Sequence, residues 1–235
     1  NLTGCANVTL AGNYSLPQNV SARATCFNIT ASNTTVNCSG YWVAFAQNAV
    51  GYGVYAQNVA PSITNCTFTQ TLGTAAVYFS NTTVTLASNI SFNGNGLQVG
   101  DNAAVNCNNN WLVGLSGSQA AVNATGVNAS LKDCRATGVA AGVNVTGSNF
   151  NSTLNSLNAS SVCFAVSSAL NATSQEDNFT SCVASYSLAS NSQLNSTNST
   201  FNHSAVTWGA GVNNLTVNHF ARVNATKHYG ASVDG

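Results

Sequence analysis

Charged side chains that could carry out acid–base chemistry are scarce in this chain of 235 residues. It has five lysines and arginines, five acids and no net charge. Cleavage of a glycosidic bond would need paired carboxylates, or acids beside basic residues, on one face. The densest group is Lys132, Asp133 and Arg135, which predicts a local ion pair at a surface turn; a functional site there is the less favoured alternative. Glu176 and Asp177 are expected to form a solvated acidic pair in a turn.

Metal and nucleophilic chemistry have little support in the sequence. The separations of His203, His219 and His228 match no standard zinc-ligand pattern, so we interpret them as ordinary surface or stacked histidines. The eight cysteines include no Cys-X-X-Cys pair. Phosphate-binding, dinucleotide-binding and serine-nucleophile motifs are also absent from the sequence. We therefore predict no catalytic residue, no metal and no cofactor, and a protein that is not an enzyme.

The chemistry that the sequence does favour is modification of asparagine. Of 36 asparagines, 22 stand in Asn-X-Ser/Thr, the acceptor pattern for N-glycosylation, whereas chance pairing would give roughly 8. An Asn- and Thr-rich strand repeat could generate sequons by accident, but that alternative predicts the smaller number. Glycans would supply the solvation that charged residues, only 4% of the chain, do not. The predicted glycosylation sites are Asn1, Asn7, Asn13, Asn19, Asn28, Asn33, Asn81, Asn89, Asn123, Asn128, Asn144, Asn151, Asn158, Asn171, Asn178, Asn195, Asn198, Asn202, Asn214 and Asn224.

The composition also limits partners and location. No basic face is available for nucleic acid, and no polybasic cluster for an anionic membrane. No apolar run approaches the length of a membrane span. Asn1 begins directly in a sequon, so we interpret the chain as a mature, processed product. An even number of cysteines beside dense sequons favours disulfides in an oxidising compartment, which predicts a secreted protein of the extracellular space or cell surface.

A short pattern recurs along the chain: a β-branched or apolar residue, then Asn or Asp, often followed by Cys. Successive copies lie roughly 17–28 residues apart, within or near the range of solenoid repeats. Gly-rich breaks at residues 51–56, 96–100 and 138–143 separate copies and are followed by short apolar strands. Each repeat is therefore predicted to hold two or three short strands joined by tight turns.

Residues 65–68 (Asn-Cys-Thr-Phe), 76–79 (Ala-Val-Tyr-Phe) and 83–86 (Thr-Val-Thr-Leu) resemble the repeat of right-handed parallel β-helix proteins, the pectin-lyase-like solenoids. The resemblance is closest to the surface-protein versions of that repeat and covers roughly residues 27–222. It implies stacked rungs with three parallel sheets, but no particular activity. We therefore predict an all-β solenoid of about 8–9 rungs. The alternative fold is a β-sandwich filament subunit completed by a donated N-terminal strand.

The cysteines fit such a stack when they are paired in order. Cys5–Cys26, Cys38–Cys66, Cys107–Cys134 and Cys163–Cys182 are each separated by about one rung, and neighbouring rungs supply the spacing that a disulfide needs. Pairing of Cys134 with Cys163 is the main rival. The asparagines that precede cysteines are expected to face inward and to form a structural ladder; they are Asn37, Asn65 and Asn106. Burial would block glycans at the first two of these despite their sequons.

Together these features predict three segments: an N-terminal strand or cap at residues 1–30 that could contact another subunit, a solenoid at 31–222 and a tail at 223–235. The predicted function is a non-catalytic, heavily N-glycosylated extracellular or surface protein whose copies stack head to tail into a filament. One alternative is a surface adhesin or carbohydrate-binding β-helix. A second is a polysaccharide lyase or hydrolase of the same fold, although the motifs expected of a polygalacturonase or pectate lyase are missing. The predicted partners are copies of the chain itself and its attached glycans.

Overall fold

The computed structural model describes residues 1–147, 149–201 and 205–219. They form an all-β parallel solenoid of about ten turns, close to the predicted 8–9. Every strand pairing in this part of the chain is parallel, so the alternative β-sandwich with a donated strand is wrong. The short apolar stretches between turn residues form strands because each turn buries its inward side chains against the turns above and below.

Each turn contributes strands to three faces. Face I contains β1 (Ala6–Val8), β4 (Phe27–Ile29), β7 (Tyr52–Gln57), β10 (Ala75–Ser80), β13 (Leu97–Val99), β16 (Ala120–Ala124), β23 (Ala184–Ala189) and β25 (Val206–Trp208). Face II contains β3 (Val20–Ser21), β6 (Trp42–Phe45), β9 (Cys66–Gln70), β12 (Ile90–Phe92), β15 (Trp111–Gly114) and β22 (Asn178–Thr180). The long strands β18 (Arg135–Val145) and β20 (Ser156–Ser167) begin on face II and continue onto face I.

Face III is made of two shorter sheets. The first contains β2 (Gly12–Ser15), β5 (Thr34–Asn37) and β8 (Ser62–Thr64). The second contains β11 (Thr83–Thr85), β14 (Ala104–Asn106), β17 (Ser130–Lys132), β19 (Asn151–Thr153), β21 (Ala172–Gln175), β24 (Gln193–Thr197) and β26 (Asn214–Asn218). The chain visits the faces in the order I, III, II, and we number the turns 1 to 10 from β1 to β26.

Register between turns places like residues on top of each other. On face I, Val54, Val77 and Leu97 occupy one inward column and are fully buried. The residue that follows each of them points outward, because side chains alternate along a strand. The interior is therefore a continuous column of apolar side chains, with phenylalanines such as Phe68 and Phe92 stacked in neighbouring turns of face II.

The corner from face III to face II has a repeated backbone geometry. A residue with positive φ follows the face III strand, and the next side chain points into the core. The positive-φ residues include Asn65, Asp133, Leu154, Glu176 and Asn198. Asparagine adopts this left-handed conformation more readily than most residues, which gives the chain a backbone reason to be Asn-rich. We call the buried residues that follow them the inward corner positions: Cys66, Cys134, Asn155, Asp177 and Ser199.

The four cysteine pairs predicted by pairing in order are confirmed. Their Cα atoms lie 4.6 Å apart in Cys5–Cys26, 4.9 Å in Cys38–Cys66, 4.8 Å in Cys107–Cys134 and 5.7 Å in Cys163–Cys182. Each bond joins neighbouring turns, so the rival pairing of Cys134 with Cys163 is wrong. Closing loops of this length stabilises a fold by about 3 kcal/mol per bond in the chain-entropy model.

The N-terminal residues belong to the stack. Strands β1, β2 and β3 pair in parallel with β4, β5 and β6, so residues 6–21 form turn 1 and no boundary separates them from turn 2. Residues 1–5 close part of the open end: the Leu2 amide donates to the Ser15 carbonyl oxygen at 2.9 Å, and Leu2 packs against the core. The predicted solenoid end at residue 222 and the tail at 223–235 lie outside the described residues.

None of the described residues forms a helix with the length and apolar character needed to cross a bilayer.

Candidate functional site

The sequon asparagines lie on the outside of the solenoid. Of the 22, Asn202 and Asn224 lie outside the described residues, and none of the others is buried. Most are exposed, and a half-buried minority consists of Asn28, Asn37, Asn123, Asn144 and Asn198. The sites are distributed over all three faces and the turns between them. Every described acceptor is therefore positioned where a glycan could project into solvent.

Some sequon amides are already occupied by hydrogen bonds. At the corner between faces I and III, the Asn171 amide donates to Asn149 Oδ1 at 2.9 Å and the Asn149 amide to Asn128 Oδ1 at 2.9 Å. The Asn128 amide in turn donates to Asn102 Oδ1 at 3.3 Å. This ladder joins asparagine side chains from one turn to the next, but its members are exposed and lie at a different corner from the inward ladder predicted at Asn37, Asn65 and Asn106. Each of these amide nitrogens donates one hydrogen to a neighbouring turn, so an attached sugar would have to replace the other hydrogen and fit beside the ladder.

The prediction that Asn37, Asn65 and Asn106 face inward is wrong. Asn65 is exposed, and the other two are half-buried. The inward residues are the neighbouring cysteines, and side-chain alternation then forces the preceding asparagine outward. The Asn65 amide does donate to Asn37 Oδ1, at 3.4 Å, so one bond between turns exists on the outer surface. Asn106 instead accepts from the Asn108 backbone amide at 2.8 Å, within its own turn.

An outward column on face I combines sequons with tyrosines. Strand register places Asn7, Asn28, Tyr55, Tyr78 and Gln98 one above the other in turns 1 to 5. The column continues through Asn123 and Asn144 in turns 6 and 7. Neighbouring positions are separated by the strand spacing of about 4.8 Å. Within turns 1 to 7 the column therefore carries two acceptor asparagines before the aromatic segment and two after it.

The aromatic segment is a cluster of three half-buried tyrosines. The rings of Tyr55 and Tyr78 are stacked, with centroids 4.9 Å apart and planes within 4°. Tyr52 lies 5.6 Å from Tyr55 and 5.0 Å from Tyr78, with its ring tilted toward both. Partial burial raises the pKa of the Tyr52 hydroxyl, and its proximity to Tyr78 adds to the shift. The three rings thus pack into one aromatic platform on the outside of turns 3 and 4.

An open groove of about 380 Å³ lies beside this platform. Its lining consists of Asn7, Thr25, Asn28, Tyr52 and Tyr55. One face of the Tyr55 ring lies against Tyr78, so its other face is turned toward Asn28 and forms a wall of the groove. Apolar ring faces beside amide and hydroxyl groups suit a ligand with one apolar face and several polar edges.

The charged residues are not gathered into one site. Within the described residues no ion pair joins Asp133 to Lys132 or Arg135, so the predicted local ion pair is wrong. Arg135 instead lies over the Trp111 ring, 5.5 Å from its centroid, and its Nε donates to Asn109 Oδ1. Neither His203 nor His228 is among the described residues, and those that are described contain no group of three or more His, Cys, Asp and Glu able to hold a metal ion.

Asp177 departs most from its predicted environment. The sequence predicts a solvated side chain, but Asp177 occupies an inward corner position and is only 1% exposed. Its Oδ1 accepts from the Asn155 backbone amide at 2.8 Å, and its Oδ2 accepts from the Ser174 hydroxyl at 2.7 Å. Burial raises the pKa of this carboxyl, and the hydrogen bonds that it accepts offset part of the shift. Its neighbour Glu176 is exposed, so the two adjacent acids do not act as a pair.

Asp177 belongs to a polar network inside turns 7 to 9. The Tyr186 hydroxyl, fully buried, donates to Ser174 Oγ at 3.0 Å and lies 2.9 Å from Ser196 Oγ. Ser199 Oγ lies 3.1 Å from Ser174 Oγ. Sequence reasoning missed this network and the tyrosine cluster, because both are brought together by register between turns. The sequence contains one signal for the network and the tyrosine cluster: polar or aromatic residues recur at about one repeat length, as Tyr55 and Tyr78 do.

Comparison of the chain with protein-family models, with curated proteins and with solved structures finds no match. The resemblance of the sequence repeat to parallel β-helix proteins is therefore carried by the fold alone.

Proposed function

We propose that the chain is a non-catalytic structural glycoprotein of the extracellular space or cell surface, a rod coated with N-glycans that stacks end to end. One observation carries the proposal: all described sequon asparagines lie on the surface, over a rod with few charges to solvate it. Glycans at these positions would replace the charged side chains that keep most proteins soluble.

The disulfides support the location. Four bonds use all eight cysteines, and none is free. Such bonds form and persist in oxidising compartments and are rare in reducing ones. The crosslinks also suit a protein that must survive outside the cell, because they restrict unfolding of neighbouring turns.

The last described turn supports end-to-end stacking. Trp208 continues an inward column whose preceding members, Val166 and Leu188, are buried. Trp208 itself is 55% exposed, because nothing among the described residues lies beyond it. Its strand also carries backbone groups on its outer edge, which can pair with a strand of another molecule. Turn 1 of a second copy, with its own edge strands, is the partner that we propose for this surface.

Glycopeptide mass spectrometry tests the coating. We expect sugar on most exposed sequons and lower occupancy at those whose side-chain amides donate hydrogen bonds, which are Asn65, Asn81, Asn128 and Asn171. A chain without sugar at any sequon would refute the glycoprotein assignment.

Electron microscopy of purified protein over a wide concentration range tests the stacking. The informative variant is Trp208→Lys, which places a charge on the proposed contact and should leave only single rods. Trp42→Lys is the matched control, because Trp42 is 59% exposed on the side of the rod in turn 2 and should leave filaments intact. Discrete monomers of the unmodified protein at all concentrations would refute self-assembly.

A second candidate function, a carbohydrate-binding surface protein, is favoured by the tyrosine groove. Stacked aromatic rings beside amide side chains are a suitable surface for a pyranose ring. Binding of soluble oligosaccharides by the intact protein would favour this candidate.

A further inference from the structure

We propose that the groove beside Tyr55 is the docking site of the first sugar of an N-glycan attached to Asn28. The apolar face of that pyranose would pack on the free face of the Tyr55 ring. The inference rests on the proposed glycosylation and extends it, because it assigns one glycan a structural role.

The position of Asn28 carries the argument. It is directly in register with Tyr55 in the next turn, so the two side chains lie one strand spacing apart on the same outward column. Asn28 is half-buried and lines the groove together with Asn7, Thr25, Tyr52 and Tyr55. Among the described residues its side-chain amide makes no hydrogen bond. The amide nitrogen is therefore available, and a sugar linked to it would begin inside the groove.

The chemistry of the groove matches such a sugar. A pyranose presents C–H groups on one face and hydroxyl groups around its edge. The Tyr55 ring offers an apolar face, while Thr25, Tyr52 and Asn7 offer hydrogen-bonding groups at the sides. The groove volume of about 380 Å³ is near the lower end of small-molecule sites, which suits one sugar unit and not a long oligosaccharide.

The contacts of Tyr55 with its neighbours make the packing favourable. One face of the Tyr55 ring stacks on Tyr78 and the other borders the groove. The Tyr55 hydroxyl donates to Gln57 Oε1 at 2.9 Å. Little side-chain freedom remains to be lost when a sugar packs on the ring. The attachment bond also makes the interaction intramolecular, so even weak stacking produces high occupancy.

The test compares two variants that each remove one sequon without changing its asparagine. Thr30→Ala removes the Asn28 site, and Thr146→Ala removes the Asn144 site on the same column. The pair is matched: the Thr30 hydroxyl donates to the Val8 carbonyl oxygen at 3.5 Å, and the Thr146 hydroxyl donates to the Ala124 carbonyl oxygen at 3.4 Å. Asn144 is also half-buried, but its neighbours in the column are Asn123 and Ala165 in place of a tyrosine.

We expect Thr30→Ala to lower the Tm of the glycosylated protein by about 2–4 °C more than Thr146→Ala does. Tyr55→Ala should abolish that difference, because the ring that receives the sugar is gone. Equal decreases in Tm for the two threonine variants would overturn the inference. So would an extra decrease caused by Thr30→Ala that persists in the Tyr55→Ala background. If glycopeptides show sugar elsewhere but none on Asn28, this inference alone fails, whereas a chain without any sugar contradicts the proposed function itself.

A free sugar could also enter the groove from solution. Titration with N-acetylglucosamine, followed by NMR of the tyrosine ring protons, separates the two sources. We expect the tyrosine chemical shifts to change in Thr30→Ala, where no attached sugar fills the groove. We expect no change in the glycosylated protein of natural sequence. Equal shifts in both proteins would contradict the attached glycan as the occupant.

Discussion

The corner between faces III and II is built in two ways along the rod. In turns 3 and 6 the inward corner position is a cysteine, Cys66 or Cys134, bonded to a cysteine of the preceding turn. In turns 7 to 9 the same position holds Asn155, Asp177 and Ser199, all buried. These side chains accept hydrogen bonds from the corner backbone amide of the preceding turn: Asn155 Oδ1 accepts from Cys134 at 2.8 Å, and Asp177 Oδ1 accepts from Asn155 at 2.8 Å.

The difference shows that one backbone geometry accepts either a covalent or a hydrogen-bonded connection between turns. A disulfide stabilises mainly by restricting the unfolded chain, so it is insensitive to pH and sensitive to reductant. A buried hydrogen-bonded carboxylate stabilises only when every partner is satisfied, and its ionisation links stability to pH. The two regions are therefore expected to fail under different conditions.

Removal of a corner disulfide should have the largest effect. Cys107→Ala combined with Cys134→Ala opens a loop of 27 residues and should lower stability by about 3 kcal/mol, or the Tm by about 6–12 °C. Thermal unfolding followed by circular dichroism measures the change.

The control is the pair Cys163→Ala and Cys182→Ala, which opens a loop of 19 residues at a different corner. This variant should lose slightly less stability than the Cys107 and Cys134 variant, because the entropy of loop closure grows slowly with loop length. No change in Tm for the Cys107 and Cys134 variant would contradict the role of covalent corners.

Asp177→Asn should produce the next largest effect, visible as a change in pH dependence. Because the folded pKa of Asp177 is raised above its ordinary value, the folded state binds the proton more tightly than the unfolded state. Stability is then highest in acid and falls as pH rises from the ordinary carboxyl pKa through the raised one. A side-chain amide in place of this carboxyl cannot ionise, so the variant should keep its acid stability at neutral pH.

Urea unfolding at pH values from about 3 to 8 measures the slope of the free energy of unfolding against pH. Asp133→Asn is the matched control, because Asp133 precedes an inward corner position and is only half-buried; it should leave the slope of the natural chain unchanged. If the natural chain instead becomes steadily more stable over the upper part of this pH range, burial does not raise the pKa of Asp177 in the folded state.

Leu154→Gly should have the smallest effect and sharpen the comparison of the two corner types. Leu154 has φ of 58°, where a side chain costs about 1–2 kcal/mol and glycine costs nothing for steric reasons. After the greater entropy of glycine in the unfolded chain is subtracted, we expect a gain of about 0.5–1 kcal/mol in the free energy of unfolding. Leu170→Gly is the control, since Leu170 is an exposed turn residue without positive φ and should lose stability. A loss in both variants would show that Leu154 contributes through packing.

Much of the fold was predictable because its signals are local. The recurring Asn and Cys corners, the glycine breaks and the cysteine separations near one repeat length indicated stacked turns and the correct four bonds. Predictions of side-chain direction were less successful. The sequence pattern places Asn65 inside and Asp177 outside, and the structure reverses both. In a corner, a shift of one residue exchanges core and solvent. Asparagine favours the positive φ, but serine, leucine, aspartate and glutamate also adopt it here, so residue type alone does not locate the inward position.

The sequence by itself determined the repeat, the absence of a charged surface and the supply of acceptor asparagines, since these depend on composition and spacing. Only the tertiary structure decided which side chains meet across turns. Tyr55 reaches Tyr78 and Asn28 because parallel register aligns three turns, and Asp177 enters the core because a left-handed residue precedes it. Residues more than about 20 positions apart become neighbours at about 4.8 Å only after the coil has formed, so the groove and the buried network exist only in the folded chain.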